Sequence, residues 1–145
     1  MSEAFLILAD YAQVQAGKLH LIGGGINLVG PGRFQMGVAV IGTLPWNDRS
    51  KRQTLKFALY DADKRPVTIP SPIGVSPLEV GAGIESIPAP GTPPGSDLTY
   101  SFAFNIAGID LPAGSYTWMV FLNDAKAALA QSTFAVRSPG AVIAT

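Results

Sequence analysis

The chain contains no cysteine among its 145 residues and only one histidine, His20. Without cysteine, neither a disulfide framework nor a thiolate metal site can form. A Ser-His-Asp hydrolase would depend on His20, and no Gly-x-Ser-x-Gly turn accompanies it. His20 also has no second histidine or cysteine with which to hold zinc. We therefore expect a protein that is not an enzyme and that has no catalytic residue, catalytic metal or cofactor.

Charge is scarce as well: 14% of the residues are charged, and ten basic residues balance ten acidic ones. An average soluble domain has roughly 25% charged residues. A neutral chain does not attract phosphate backbones or anionic membranes, so we expect neither a nucleic-acid partner nor a membrane partner. A weakly charged surface favours contact with protein, either a partner or a second copy of the chain.

Long hydrophobic runs are missing too. No stretch reaches the roughly 20 apolar residues of a membrane span. The apolar run at the start, Ala4–Ala9, follows no basic residue and is too short for the apolar region of a signal peptide. These features predict a cytoplasmic location in the producing cell, with a place inside an assembled particle as the other expectation.

What the chain does have is alternation of apolar and polar residues, strongest from Leu98 to Val136. Because side chains on a strand switch faces at every residue, this pattern predicts three consecutive antiparallel strands there. Shorter alternating or apolar segments precede them at Phe5–Ala9, Lys18–Ile22, Ile26–Val29, Phe34–Leu44, Thr54–Tyr60 and Val67–Ile69. The interruptions are interpreted as a turn at Asp10–Gly17, a bulge at Gly23–Gly25 and a hairpin turn at Asp61–Lys64.

About eight strands separated by turn signals, with no segment of helical period, predict one all-β domain over residues 1–145. We expect an antiparallel two-sheet β-sandwich of the Greek-key, immunoglobulin-like or jelly-roll-like kind. The segment Leu111–Tyr116 has two interpretations. It is either the entry of a Greek-key sandwich, where the tyrosine hydroxyl bonds a nearby backbone group, or a proline-glycine turn before an ordinary strand residue.

Proline is concentrated between Pro66 and Asp97, which holds eight of the twelve prolines. Proline cannot donate to a sheet ladder, so we expect at most a short edge strand at Leu78–Ala82 and a proline-rich long loop at about 84–97. The C-terminal tail, residues 138–145, is apolar. We expect Val142 and Ile143 to pair with a sheet edge of this subunit or a neighbouring one.

Several short motifs together resemble an uncharacterised family of small bacterial β-sandwich proteins, a domain of unknown function. They are Leu8-Ala9-Asp10, Gly17-Lys18-Leu19, Ile22-Gly23-Gly24-Gly25, Leu59-Tyr60-Asp61-Ala62-Asp63, Leu111-Pro112-Ala113-Gly114-Ser115-Tyr116 and Asn123-Asp124. Lys64 and Ala125 stand where this pattern would have glycine. The resemblance implies a β-sandwich and no known activity.

Met119 and Phe121 lie on the face of their strand opposite Trp118 and Val120. A strand that is apolar on both faces is buried on both faces, and a two-layer sandwich then needs a further cover from a loop, a tail or another subunit. The sequence thus predicts a non-catalytic interaction or structural subunit, either a homo-oligomer or a component of a larger assembly such as a phage particle. Its expected partner-binding residues are Met119, Phe121, Val142 and Ile143.

The alternative function is a ligand- or calcium-binding β-sandwich with its site in the loops around Asp10, Asp48 and Asp61. Asp61 and Asp63 share a turn, and sandwich loops can supply the 6–8 oxygen ligands that calcium needs. Aspartate is also common in hairpin turns because it bonds its own backbone two residues on. The neighbouring Lys64 and Arg65 would oppose a cation.

Overall fold

The structure, a computed structural model, describes residues 3–140 and is nearly all β. Over this range it has twelve strands and a single 3-10 turn at Trp46–Asp48. The strands are β1 (Ala4–Ala9), β2 (Tyr11–Gln15), β3 (Lys18–Ile22), β4 (Leu28–Val29), β5 (Phe34–Leu44), β6 (Gln53–Asp61), β7 (Thr68–Ser71), β8 (Gly74–Pro77), β9 (Glu79–Ile84), β10 (Leu98–Ile109), β11 (Gly114–Leu122) and β12 (Ala130–Val136).

Two of the sheets form the layers of a β-sandwich. The smaller sheet has the strand order β1-β5-β10 and the larger one the order β4-β12-β11-β6-β9. All pairs within them are antiparallel except β4 with β12. The prediction of an all-β sandwich is confirmed.

The core lies between the two sheets and follows from the alternation in each strand. On β5, Met36, Val38 and Val40 have no exposed surface, and Trp118 on β11 faces them from the larger sheet, also fully buried. The Trp118 ring meets Phe104 of β10 edge to face, with 5.6 Å between ring centroids. Each such buried side chain contributes roughly 1.5–3 kcal/mol to the hydrophobic stabilisation.

The three segments from Leu98 to Val136 are strands as predicted, but they do not form one meander. β10 pairs with β5, from Leu98 opposite Leu44, whereas β11 pairs with β12 and β6. The short connection 110–113 therefore crosses from the smaller sheet to the larger one. Alternation tells which face of a strand is buried and does not tell which strand lies beside it.

The expected turn at Asp10–Gly17 is wrong, because β2 lies there and forms a hairpin with β3. This hairpin lies on the outer surface of the smaller sheet, over Gly37 of β5. A Cβ at Gly37 would lie 2.6 Å from the backbone nitrogen of Ala12, so only glycine allows the approach. The side chain of Asn105 on β10 binds the backbone of β2 with two hydrogen bonds. Its Oδ1 accepts from the Ala12 N–H at 3.0 Å, and its Nδ2 donates to the Ala12 carbonyl at 2.8 Å.

The glycines at 23–25 also differ from expectation. β3 ends at Ile22, and the glycines form a bend beyond the strand instead of a bulge within it. The Gly25 N–H donates to the carbonyl of Leu8 at 2.7 Å, and the Asp10 N–H donates to that of Ile22 at 2.9 Å. This segment therefore lies beside the C-terminal end of β1 and pairs with it at Leu8.

Tyr116 adopts the first of the two arrangements considered for its turn. Its hydroxyl donates to the carbonyl of Pro112, four residues earlier, at 2.6 Å. The side chain is buried and stacks on Phe134 of β12, with 5.7 Å between centroids. The tyrosine thus fixes the chain where it enters β11 after crossing between the sheets.

The proline-rich region contains more strand than its composition suggests. β9 is an edge strand of the larger sheet, where an edge strand was expected. β7 overlaps the segment expected at Val67–Ile69, but it pairs with β8 in a separate two-stranded hairpin that was not expected, with Ile73 at its tip 94% exposed. Residues 85–97 contain turns and no strand.

Candidate functional site

The outer face of the larger sheet is the side of that sheet turned away from the core. Residues directly opposite each other in the ladders share a face, so the register defines it. Its members are Thr54, Lys56, Ala58 and Tyr60 of β6, Thr117, Met119 and Phe121 of β11, Gln131 and Thr133 of β12, and Glu79, Gly81 and Gly83 of β9.

Met119 and Phe121 lie at the centre of this outer face, as their alternation with Trp118 and Val120 predicts. Met119 is opposite Ala58 on one side and Gln131 on the other. Phe121 is opposite Lys56, whose ammonium lies 5.2 Å from the centroid of the aromatic ring. Both side chains are half-buried, while Thr54, Lys56, Gln131 and Thr133 around them are exposed. The centre of the face is thus apolar, with Ala58 buried and Met119 and Phe121 partly exposed.

The charges on and beside the outer face balance. Lys56 and Glu79 stand on it, one of each sign. Beside Gly83 the guanidinium of Arg52 lies so close that a Cβ on the glycine would collide with it. Asp124, from the loop after β11, lines the same depression of about 420 Å³ as Arg52 and Lys56. The face therefore has no net charge that would select a partner of one sign.

Asp61 has a local structural task. Its Oδ1 accepts from the N–H of Asp63 at 2.9 Å and from that of Arg65 at 3.0 Å, which closes the turn after β6. Across residues 3–140, no group of three or more His, Asp or Glu side chains converges in a way that could hold a metal ion. The calcium hypothesis for Asp61 and Asp63 gains no geometric support from this turn.

The other residues of the alternative site lie apart from Asp61. Asp48 is in the 3-10 turn and forms an exposed ion pair with Lys51, at 3.8 Å. Asp10 follows β1, and its carboxylate lies against Gly23. His20 is exposed on β3, opposite Gln13. Two of the expected partner-binding residues, Val142 and Ile143, lie outside the described residues.

A cleft of about 600 Å³ lies between the two sheets, and no pattern in the sequence predicted it. One wall is the end of β9 with the following residues, Gly83–Ala89. The other is the start of β10, Leu98–Phe102. Two buried side chains line it, Ser86 at 7% and Tyr100 at 6% exposure, and neither hydroxyl has a hydrogen-bond partner within residues 3–140. Burial raises the pKa of the Tyr100 phenol above its usual value.

The part of the chain described by the structure has no helix long and apolar enough to cross a membrane. No protein-family model matches the chain, and no curated protein matches it. Both results agree with the resemblance to an uncharacterised family.

A solved β-glucuronidase from glycoside hydrolase family 2 is similar in structure, with 14% sequence identity over 72% of this chain and a TM-score of 0.35. The match covers 10% of that enzyme, so this chain spans about a tenth of its length. At that TM-score the likeness supports no argument about activity.

Proposed function

We propose that this protein is a non-catalytic structural subunit that associates with a second copy of itself through the outer face of the larger sheet. The observation that carries the proposal is the position of Met119 and Phe121. They form an apolar centre on the outward side of a strand whose inward side is fully buried. An apolar centre that keeps part of its surface accessible, within a polar surround, is the usual anatomy of a protein interface.

A second copy is the occupant that the charges favour. Arg52 and Lys56 balance Glu79 and Asp124 on the same face. In a two-fold symmetric dimer the same surface is used twice, so it must complement itself. A face with equal numbers of both signs can do this, because the cations of one copy can lie against the anions of the other.

The size of the outer face sets the expected strength of self-association. The four strands of the outer face are spaced about 4.8 Å apart and are about seven residues long, which gives an area of roughly 500 Å² for each copy. The total of roughly 1,000 Å² is at the lower end for specific interfaces. We therefore expect a weak dimer whose population depends on concentration, within the cytoplasm of the producing cell or as one contact of a larger assembly.

The test is the variant Phe121→Glu, measured by sedimentation velocity across a range of concentrations. The aromatic ring is only half-buried and a carboxylate at this position can pair with Lys56, so the fold should survive. Pairing two copies would place two carboxylates in one apolar contact. We expect self-association to weaken at least tenfold while the melting temperature changes by only a few degrees.

The matched control is Phe5→Glu, since Phe5 is 67% exposed on the smaller sheet and lies outside this face. It should leave self-association unchanged. A wild-type protein that stays monomeric at all concentrations would contradict the proposal. So would a dimer that Phe121→Glu leaves intact.

A further inference from the structure

β10 is one of the two edge strands of the smaller sheet, and its outer edge has none of the features that usually protect an edge. From Leu98 to Ile106 it pairs with β5 in one continuous register. Those nine residues include no Asp, Glu, Lys, Arg or Pro. Within residues 3–140 their backbone groups bond to no strand other than β5. Proteins usually protect such an edge with charge, proline or a covering segment, because it can accept another strand.

The opposite edge of the same sheet shows the contrast. There, the N–H groups of Gly25 and Ile26 donate to the carbonyl of Leu8, at 2.7 and 3.1 Å. The glycine-rich bend thus covers the Leu8 end of β1, whereas no such backbone bond reaches Leu98–Ile106 of β10 from residues 3–140. β10 is the exposed edge of this sheet, and the described cleft lies directly beside it.

The cleft beside β10 is suited to one extended chain. Its β10 wall, Leu98–Phe102, is five residues or roughly 16 Å long. The opposite wall is Gly83–Ala89, so a segment that pairs with β10 here lies between two walls. A volume of about 600 Å³ is within the size range of ligand sites, roughly 300–1,000 Å³.

The walls also hold polar groups without partners. The hydroxyls of Ser86 and Tyr100 are sealed in these two walls and form no hydrogen bond there. Ser86 is attached to the rest of the fold through its carbonyl, which accepts from the Ser50 N–H at 2.9 Å. The Tyr100 side chain extends over Gly42 of β5, so its hydroxyl lies at the inner side of the cleft.

The charge of the cleft selects among possible segments. The charged residues that line it are Glu85 and Asp97, which are both acidic and both exposed. Arg52 lies on the other side of β9, over the outer face of the larger sheet. A segment with lysine or arginine therefore suits the cleft better than an acidic segment or a free carboxyl terminus.

We infer that this cleft binds an extended peptide segment of another protein, which adds as a strand to β10 at Leu98–Phe102 and places a basic side chain near Glu85 and Asp97. Backbone hydrogen bonds to the strand edge supply the affinity in this mode, and side-chain contacts supply the selectivity. The site is separate from the outer face of the larger sheet, so it does not depend on the proposed self-association.

The test is a selection of binding peptides from a displayed library of random nonapeptides. The target is the full-length protein carrying Phe121→Glu, so that self-association does not affect the result. Enriched peptides should alternate apolar and polar residues and contain lysine or arginine. Neutralising the cleft with Glu85→Gln and Asp97→Asn together should weaken the best peptide about fivefold at low salt and less at high salt. The control pair Glu3→Gln and Asp110→Asn removes the same charge outside the cleft and should have no effect.

Strand addition is tested separately with two N-methylated forms of the selected peptide. Methyl groups on alternate residues block the N–H groups on one edge of an extended chain only. One form should lose at least tenfold in affinity while the other binds normally. Equal behaviour of the two forms, peptides that tolerate both acid-to-amide changes, or a selection without enrichment would overturn the inference.

Discussion

At the scale of single residues, two buried tyrosines differ in what their hydroxyls do. The hydroxyl of Tyr116 donates to the carbonyl of Pro112, whereas that of Tyr100 has no partner within residues 3–140. Net stabilisation by a hydrogen bond is about 1 kcal/mol, and a buried polar group without a partner costs a similar amount or more. The same substitution should therefore have different effects at the two positions.

Tyr116→Phe should lower the free energy of unfolding by about 1 kcal/mol, because the carbonyl of Pro112 loses its donor. For a domain of this size that is a fall of about 3 °C in melting temperature. Tyr100→Phe is the matched variant and should leave the melting temperature unchanged or raise it. Thermal unfolding followed by near-UV circular dichroism measures both. If Tyr100→Phe lowers stability as much as Tyr116→Phe, its hydroxyl has a partner in solution.

Residue roles were predictable where they depend on alternation. Met119 and Phe121 could be placed on the outward face because Trp118 and Val120 so clearly face inward. Ser86 could not be found in this way, since it lies outside any periodic segment. Tyr100 belongs to the alternating segment that begins at Leu98, but alternation carries no information about the surroundings of its hydroxyl.

At the scale of elements, the β2–β3 hairpin shows how a weakly apolar segment is held in place. Its attachment to the smaller sheet depends on the close approach at Gly37 and on the two hydrogen bonds from Asn105. Neither contact leaves a local sign in the sequence of β2 itself, Tyr11–Gln15, which therefore resembled a turn. β8 and its pairing with β7 were missed for a different reason: Pro70, Pro72 and Pro77 argue against a central strand but allow an isolated hairpin.

Asn105→Ala should loosen the hairpin selectively. Two backbone groups of Ala12 lose their partners, so we expect a loss of about 1–3 kcal/mol. Amide hydrogen exchange in Tyr11–Ile22 should accelerate more than exchange in β5 or β11. Asn27→Ala is the control, since Asn27 is exposed and should change neither quantity. Uniform acceleration over the whole sandwich would mean that the hairpin is not a separate unit.

At the scale of the whole molecule, the buried tyrosines set how stability responds to alkaline pH. Burial raises the pKa of both Tyr100 and Tyr116, and for Tyr116 the carboxylate of Asp61 adds to the effect. Well below the usual tyrosine pKa of about 10, the phenols are protonated whether the chain is folded or unfolded. As the pH rises through 10, the unfolded chain releases its protons first, so unfolding becomes easier.

We therefore expect the free energy of unfolding to fall between pH 9 and pH 11, over a range set by the usual tyrosine pKa of about 10. Denaturation by guanidinium at a series of pH values measures this. The Tyr100→Phe variant removes one of the two groups and should show a shallower fall than the wild-type protein. A free energy that stays level over this range, or one that falls equally steeply in the variant, would contradict the expectation.

The arrangement of the smaller sheet has a consequence for how the protein is made. β5 is its central strand, yet its partner β10 begins only at Leu98, more than fifty residues after β5 ends at Leu44. During synthesis on the ribosome, β5 must therefore wait with one edge unpaired while residues 45–97, more than a third of the chain, are translated. Pairing between distant segments is slow, and uncharged strands such as β5 and β10 are prone to aggregate until they meet. The nascent chain should accordingly depend on a chaperone until residue 106 has left the ribosome.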